Sequence, residues 1–385
     1  MSTPSKQAVV FGAGMVGTLM ARDMLRDGEF QVMLMDRSNL ALAKAKAYLG
    51  TGSTLKTKTC DLSDPDTLRK AASNADVVLG ALSSHLGYPA LETLAQVGTP
   101  YCDISFMAEN AMDWNDLARE HGTVCVVDCG VAPGMSNLLT GAGVAMLDQA
   151  EEIEIYVGGL PKNRSWPFEY KAGFAPSDVI EEYTRPSRIV EHGQVVVREA
   201  LTEPELMEFD GVGTLEAFNT DGLRSLIDTL DVPFMKEKTL RYPGHIELMR
   251  VFRETGLFQK QTIDVQGQQV SPLALTQALL FPKWTFEEGE EDLTVMRIIV
   301  RGEEGGKSKT YRWDLYEAYS REERATSMSR TTALPCTIMA RMLVDGTFTE
   351  PGVYPPELLG SNRAIVDRML SELAERGIAY TATSL

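Results

Sequence analysis

Six residues near the start of the chain form a glycine motif that could bind a phosphate group. Gly12, Gly14 and Gly17 have GxGxxG spacing, and they follow a predicted strand and open a predicted helix. Glycines at these positions let the backbone turn tightly and approach a pyrophosphate, which lies on the free N–H groups and the positive end of the helix dipole. The motif predicts a dinucleotide-binding loop made of Gly12, Ala13, Gly14, Met15, Val16 and Gly17.

An acidic residue follows the motif at the spacing typical of dinucleotide-binding proteins. Asp36 ends the next predicted strand, 19 residues after Gly17, where a carboxylate accepts a hydrogen bond from the ribose 2′-hydroxyl. A carboxylate about 5 Å from a 2′-phosphate costs on the order of 3 kcal/mol per unit charge at an effective dielectric of about 20, roughly a hundredfold in affinity. Asp36 therefore predicts NAD over NADP, although Arg37 would partly offset that preference. A surface aspartate after an ordinary strand, turn and helix is the alternative.

Three further strand ends are predicted to line the same groove. The third strand of such a sheet ends near the adenine, the fourth ends beside the cofactor, and the fifth ends at the edge where we expect the nicotinamide. The alternative, that these are ordinary turn residues, stays open. The residues concerned are Asp61 and Leu62 after the third predicted strand, Ala81, Leu82 and Ser83 after the fourth, and Ser105 after the fifth.

The first 130 residues alternate short apolar runs with helical periods, which is typical of a parallel sheet covered by crossover helices. Strands are predicted at residues 7–12, 31–36, 54–60, 76–81, 101–105 and 124–128. Helices are predicted at residues 15–25, 39–49, 65–72, 89–97 and 109–121. Because the carboxyl ends of parallel strands meet at one edge, we expect the candidate residues named above to gather there.

After residue 147 the pattern changes to longer strands joined by turns. Strands are predicted at residues 152–158, 168–174 and 187–199, with a turn at His192-Gly193, and a hairpin is predicted around residues 302–306. Helices are predicted at residues 177–184, 221–230, 245–255, 328–344 and 355–376. The fold class is therefore α/β, with a dinucleotide-binding Rossmann domain over residues 1–130, an α+β domain over residues 131–327 and a helical segment over residues 328–385.

The composition excludes several classes of partner. The 385 residues include 37 basic and 54 acidic side chains, a net charge of −17, which argues against a nucleic-acid binder and favours cationic or zwitterionic small molecules. The five cysteines show no CxxC spacing, and no HxxxH or Cys-His cluster predicts a metal site. The N-terminus lacks the pattern of a secretory signal, and glycine and proline interrupt the uncharged stretch 129–147, so we expect a cytoplasmic protein without a membrane span.

Two segments of the second domain carry side chains that could hold an amino acid. Arg224, Arg241 and His245 lie within 25 residues of one another, and a guanidinium fork suits bidentate binding of a carboxylate. Thr239 and Tyr242 are predicted neighbours in the pocket. An ion pair on the surface or between domains is the alternative role for each arginine.

These residues lie in strings that resemble one family. GAGMVG, VVDCGVAPGMSN, TDGLRSLIDTL, TLRYPGHIE and VYPPELLG occur in order along nearly the whole chain, and they make it similar to the saccharopine dehydrogenase family, most closely its lysine 6-dehydrogenase branch. The resemblance implies that the α+β domain is inserted into the Rossmann fold and that the C-terminal segment returns to the first domain. It also implies a homo-oligomer, a dimer or larger, built largely through the central domain.

The resemblance implies NAD-dependent oxidation of L-lysine at its ε-carbon. The product, 2-aminoadipate 6-semialdehyde, cyclises to piperideine-6-carboxylate, with release of ammonia and NADH. Saccharopine and carboxynorspermidine dehydrogenases of the same family form or cleave secondary amines instead, and a catalytically silent dinucleotide-binding sensor is a third possibility. The chain departs from the expected Pro-Gly after the fourth strand, where it has Ser83-Ser84-His85.

Only a neutral amine can push electrons toward a departing hydride. A lysine ammonium has a reference pKa of about 10.4, so its deprotonation at pH 7.4 costs about 4 kcal/mol. Asp103, Cys129 and His245 are therefore the candidates for a base or for water activation. Each has an ordinary alternative: Asp103 as a cap of a strand end, Cys129 as a small buried side chain, and His245 as the first residue of a helix.

Overall fold

The computed structural model describes residues 6–50, 54–174, 176–287 and 289–385. The chain divides into two compact units. The first unit comprises Met1–Ala145 and Ser329–Ile378, and the second comprises Met146–Met328 and Ala379–Leu385. The first unit thus extends past the predicted boundary at residue 130. The last seven residues of the segment predicted to return to the first domain belong to the second unit.

The elements up to Ala145 follow the predicted order. They are β1 (Lys6–Phe11), α1 (Met15–Leu25), β2 (Phe30–Asp36), α2 (Asn39–Leu49), β3 (Lys56–Thr59), α3 (Pro65–Ala72), β4 (Val77–Gly80), α4 (Ser84–Leu94), β5 (Tyr101–Asp103), α5 (Asn115–Glu120), β6 (Val124–Val126) and α6 (Met135–Ala145). The predicted start of α4 at Pro89 is wrong, because the helix begins at Ser84 and accommodates the proline in its second turn.

The remaining elements include both predicted hairpin turns. They are β7 (Gln149–Pro161), α7 (Pro176–Thr184), β8 (Ser187–Glu191), β9 (Gln194–Arg198), β10 (Glu205–Phe209), β11 (Gly213–Asn219), α8 (Leu226–Thr229), β12 (Phe234–Arg241), α9 (His245–Glu254), β13 (Ile263–Val265), β14 (Gln268–Val270), α10 (Pro272–Trp284), β15 (Asp292–Glu304), β16 (Lys307–Ala318), α11 (Ser327–Val344), β17 (Gly352–Tyr354), α12 (Arg363–Glu375) and β18 (Tyr380–Ser384). No helix formed by the described residues has both the length and the apolar character to cross a membrane.

The first unit contains a seven-stranded parallel sheet in the order β17-β6-β5-β4-β1-β2-β3. This confirms the predicted α/β fold with its parallel sheet. Phe11 of β1 pairs with Met35 of β2 on one side and with Gly80 of β4 on the other, and Gly80 pairs with Asp103 of β5. The register therefore brings the residues that follow these strands to one edge of the sheet.

The second unit contains a mixed nine-stranded sheet. Its main path is β10-β11-β12-β7-β15-β16-β18, and the β8–β9 hairpin joins it through β12. Two predictions here are wrong. Residues 168–174 form no strand, and residues 221–230 form only the four-residue helix α8, because Arg224 adopts a positive φ of 55° that interrupts a helix.

Candidate functional site

The glycine motif forms a tight loop between β1 and α1, packed against the end of β4. A Cβ atom on Gly12, which has a φ of +95°, would lie 2.2 Å from the carbonyl oxygen of Ala81, and one on Gly17 would lie 1.9 Å from that of Gly12. A Cβ on Gly14 would meet no atom of the described residues within 4 Å. The first and third glycines are thus required by packing within the protein, and the second leaves room for a ligand to approach the backbone.

Helix α1 presents its N-terminus at this loop. Its N-cap residue is Gly14, whose position carries no side-chain cap, and its first turn contains no acidic residue. The first N–H groups of a helix have no partner within it and carry the positive end of its dipole. Met15 is exposed and Val16 half-buried, whereas Ala13 and Gly17 are buried. The loop therefore fits an anionic pyrophosphate, as predicted from the motif.

Asp36 lies beside this loop. Its Oδ2 accepts a hydrogen bond from the Ala13 backbone N–H at 2.7 Å, and its Oδ1 accepts one from the Ser38 N–H at 2.7 Å. A carboxylate has about four lone-pair sites, so two stay available for ribose hydroxyls. Arg37 is exposed.

The other predicted cofactor residues occupy contrasting environments. The Ala81 N–H donates to the Phe11 carbonyl at 2.8 Å, which places Ala81 directly against the glycine loop, and Leu82 and Ser83 lead from there into α4. Asp61 is exposed, and hydrogen bonds from Ser63 lower its pKa. Leu62 packs into the apolar core instead.

Asp103, at the carboxyl end of β5, is fully buried. Its Oδ1 accepts hydrogen bonds from the Tyr101 hydroxyl and the Ser105 hydroxyl, both at 2.8 Å, and its Oδ2 accepts one from the Ser105 N–H at 3.0 Å. Burial raises the pKa of Asp103 to about 6, although the bonds from Tyr101 and Ser105 oppose the rise. A Cβ on Gly80 would lie 2.4 Å from Asp103 Oδ1. Asp103 is thus a buried carboxyl next to the strand end that packs against the glycine loop.

Ser105 holds the carboxyl of Asp103, and Cys129 holds its main chain. Ser105 is 1% exposed and uses its hydroxyl to hold Asp103, so the structure gives it a positioning contact. The Cys129 N–H donates to the Asp103 carbonyl at 2.7 Å. A hydrogen bond with Cys336, together with burial, raises the pKa of the Cys129 thiol well above its ordinary value. The thiol is therefore protonated at neutral pH, and this state does not suit a base.

In the second unit, His245 is buried at the start of α9. Its Nδ1 lies 2.8 Å from the Phe168 carbonyl and its Nε2 lies 2.9 Å from the Tyr183 hydroxyl. Because a carbonyl can only accept, Nδ1 carries the proton and Nε2 accepts from Tyr183. Burial lowers the pKa of His245 to about 3, with a further contribution from Arg241. The imidazole is therefore neutral, and both of its nitrogens are engaged within the protein.

Arg241 joins the same hydrogen-bonded chain. It is 2% exposed, and its Nη2 pairs with Glu182 Oε2 at 2.8 Å. Its other donors reach the Tyr183 hydroxyl at 3.2 Å, the Leu240 carbonyl at 3.0 Å and the Tyr170 hydroxyl at 3.5 Å. Four of its five N–H groups are thus used within the protein, so the geometry supports a positioning role more strongly than a carboxylate fork.

The remaining predicted substrate residues are also buried. Thr239 Oγ1 lies 2.9 Å from Thr220 Oγ1, and the Tyr242 hydroxyl donates to the Pro161 carbonyl at 3.0 Å. Arg224 lies on the loop before α8 and is 8% exposed. Thr239 lies in β12, the strand that also carries Arg241, and Tyr242 follows directly after it. The substrate role of all four residues stays a prediction.

Sequence reasoning missed Glu237. This residue is 4% exposed, its Oε2 accepts from the Thr220 hydroxyl at 2.5 Å, and burial raises its pKa to about 8. A Cβ on Gly222 would lie 2.2 Å from the Glu237 carboxyl. In the sequence, Glu237 lies between Lys236 and Lys238, a pattern typical of an exposed charged segment. The only feature that could have indicated its burial is its position on the buried face of a strand.

The structure therefore assembles the predicted residues into two groups. In the first unit, the glycine loop, Asp36, Ala81, Asp103 and Cys129 lie at one edge of the parallel sheet. In the second unit, the predicted residues lie at the end of β12 and the start of α9; they are Thr239, Arg241, Tyr242 and His245. Among the described residues, no group of three or more histidine, cysteine or acidic side chains could hold a metal ion.

Comparisons with known proteins point to one family along nearly the whole chain. A family model described as the saccharopine dehydrogenase NADP binding domain matches residues 8–126, and one described as the saccharopine dehydrogenase C-terminal domain matches residues 130–378. The chain is similar to carboxyaminopropylagmatine dehydrogenase of Synechocystis sp., with 22% identity over 396 residues that cover 97% of this chain and 96% of the relative.

It is also similar to a saccharopine dehydrogenase (NADP+, L-glutamate-forming) of Schizosaccharomyces pombe, with 20% identity over 450 residues that cover 96% of this chain and 97% of the relative. Among solved structures, the L-Glu-forming saccharopine dehydrogenase from Saccharomyces cerevisiae matches with a TM-score of 0.81 and 16% identity. The match covers 99% of this chain and 100% of that one, and it shows that the two share a fold.

Proposed function

The chain belongs to the saccharopine dehydrogenase family, and from this premise we propose that it oxidises the ε-carbon of L-lysine with a nicotinamide dinucleotide. The family membership makes it an oxidoreductase acting on amine-related C–N substrates. The observation that supports the proposal most directly is the buried carboxyl of Asp103 next to the strand end that packs against the glycine loop.

The first unit would hold the dinucleotide. The glycine loop and the N-terminus of α1 fit its pyrophosphate, and Asp36 fits its adenosine ribose. When bound, the dinucleotide would supply the acceptor for a hydride from the carbon that carries the nitrogen. We propose a preference for NAD because of Asp36; the match to a model described as NADP-binding supports the alternative, in which Arg37 pairs with a 2′-phosphate.

Asp103 is the proposed base. Its pKa of about 6 keeps the carboxyl ionised at neutral pH and above, and Oδ2 accepts a single hydrogen bond from the protein, so it has a lone pair for a substrate N–H. Transfer of a proton from an ammonium of pKa about 10.4 to this carboxylate is uphill by about 6 kcal/mol. Turnover should therefore rise as the pH increases toward about 10, since a growing fraction of lysine then arrives neutral.

The names of the relatives favour a second candidate. Saccharopine is a secondary amine, so the chain would in this case join an aldehyde to an amine or cleave the product. The hydride step is the same in both reactions. They differ in whether the nitrogen leaves as ammonia or stays attached to a second carbon chain.

The two reactions are separated by following reduced nicotinamide. L-Lysine with NAD or NADP alone should produce it, from neutral pH to about pH 10; its absence throughout would contradict lysine oxidation. Consumption of NADH or NADPH by an aldehyde plus an amine would support the second candidate. Dinucleotide binding without turnover of any amine would favour a sensor.

A variant pair tests the base. Asp103→Asn should lower kcat by about a hundredfold or more, the usual contribution of a general base. Asp116→Asn removes an exposed carboxyl in α5 of the same unit and should leave kcat unchanged. Equal rates for the two variants would exclude Asp103 as the base.

A further inference from the structure

A polar cavity of about 230 Å³ lies in the first unit, at the end of α1 that is opposite the glycine loop. It is lined by the residues that join α1 to β2 and by the C-terminal parts of α11 and α12. Eleven residues of helix separate the two ends of α1, a distance of about 16 Å. The cavity shares no residue with the glycine loop or with the surroundings of Asp103.

The wall of the cavity consists of opposite charges. Four guanidinium groups, those of Arg26, Arg341, Arg368 and Arg376, face five carboxylates. Ion pairs fix most of them: Arg341 lies 2.7 Å from Asp27, Arg368 lies 2.6 Å from Asp345, and Arg376 lies 2.8 Å from Asp23. The lining itself carries one more negative than positive charge, and Asp23 behind it, paired with Arg376, adds a second negative charge.

Three polar groups of the wall have no partner among the residues that the structure describes. The side chains of Arg26 and Glu375 are exposed and form no ion pair or hydrogen bond with the described residues. Arg341 is 6% exposed, and its Nε has no hydrogen-bond partner among those residues. Buried donors in native proteins nearly always have an acceptor, so the wall combines unused donors with an unpaired carboxylate.

We propose that this cavity binds a basic amino acid, with its carboxylate on Arg26 and a cationic group on Glu375. Such a ligand carries one carboxylate and two cationic groups, and its net positive charge suits a wall in which carboxylates outnumber guanidinium groups. The volume is far above the roughly 10–15 Å³ that one water needs and below the roughly 300–1,000 Å³ of drug-sized pockets. It therefore suits a small metabolite.

Isothermal titration of the NADH-saturated protein with L-arginine tests the proposal. L-Arginine has the required charges but no ε-amine to oxidise, so its binding involves no turnover. We expect one site per chain. Arg26→Gln and Glu375→Gln should each weaken binding about tenfold or more, the effect of losing one charge-assisted hydrogen bond. L-Norleucine, which lacks the side-chain charge, should bind more weakly than L-arginine to the unmodified protein.

Two controls separate this site from the proposed active site. Glu120→Gln removes an exposed carboxylate of α5 outside the cavity and should leave the affinity unchanged, and so should Asp103→Asn. Thermal melting establishes that the variants are folded. Three results would overturn the proposal: no binding of L-arginine, equal affinity in the cavity variants and the unmodified protein, or loss of binding in Asp103→Asn alone. The last would place the amino acid in the active site and leave the proposed function standing.

Discussion

Substitution of Gly17 by alanine tests whether protein packing sets the position of the pyrophosphate loop. The added Cβ would lie 1.9 Å from the Gly12 carbonyl oxygen and 3.3 Å from the Ala81 Cβ, whereas real Cβ atoms stay at least 3.0 Å from such neighbours. Either α1 or the loop must therefore move by at least about 1.1 Å. One neighbour is a backbone oxygen and the other is the Cβ of an alanine, so neither can move away by a side-chain rotation.

The displacement has two expected consequences. Overpacking of this kind costs about 1–3 kcal/mol of unfolding free energy, which for a unit of this size lowers the melting temperature by about 2–12 °C. Displacement of the first turn of α1 also removes one or more hydrogen bonds to the pyrophosphate. Loss of one charge-assisted bond weakens NADH binding by about tenfold to a hundredfold. Differential scanning fluorimetry and titration of NADH fluorescence measure the two effects.

Gly14→Ala is the matched control. Its Cβ meets no atom of the described residues within 4 Å, and its φ of −70° suits alanine. Its melting temperature should therefore change by less than about 4 °C, the effect of roughly 1 kcal/mol, while the methyl group enters the space expected for the phosphates and weakens NADH binding. If Gly17→Ala melted and bound NADH like the unmodified protein, the packing argument would be wrong. If Gly14→Ala bound NADH normally, the phosphates would lie elsewhere.

Four other substitutions have defined outcomes. Asp36→Ser should shift the ratio of kcat/KM for NADP against NAD by about a hundredfold toward NADP, and an unchanged ratio would contradict the ribose contact. Glu237 has a pKa of about 8 in the folded protein against an ordinary value of 4.5, so between these pH values the folded state holds a proton that the unfolded state loses. The contribution of Glu237 to the free energy of unfolding therefore declines from about pH 4.5 to 8. Glu237→Gln should flatten this decline, as measured by urea unfolding. Arg241→Gln removes the buried partner of the half-buried Glu182 carboxylate and should lower stability by about 3 kcal/mol. Arg224→Gln should mainly raise the KM for lysine. The reverse pattern would restore Arg241 as the carboxylate ligand.

The cofactor half of the fold was predictable because its signals are local. Glycine spacing, the acidic end of the second strand and the alternation of strands and helices each depend on neighbouring residues, and register then brings Gly12, Asp36 and Ala81 to one edge. Family membership was equally accessible, because the strings that carry it are contiguous.

The rest depends on contacts between distant residues. Strand β17 has three residues, too few to show a period, and it forms only by pairing with β6 some 230 residues earlier. The ion pair between Arg241 and Glu182 and the lowered pKa of His245 arise from burial. Sequence spacing does not reveal that a glutamate of a neighbouring helix pairs with Arg241. The same holds for Glu237, whose adjacent lysines suggest an exposed position.

Because each unit takes a strand from beyond residue 350, synthesis imposes an order on folding. The parallel sheet lacks its outermost strand until residues 352–354 have been made, and the mixed sheet lacks β18 until residues 380–384 leave the ribosome. Since domains tend to fold as units while the chain grows, neither sheet can be completed before these late strands have been made. Chains that stop before residue 352 would expose unpaired strand edges, which are prone to aggregate. Such truncated chains should therefore be insoluble even though most of both cores has already been made.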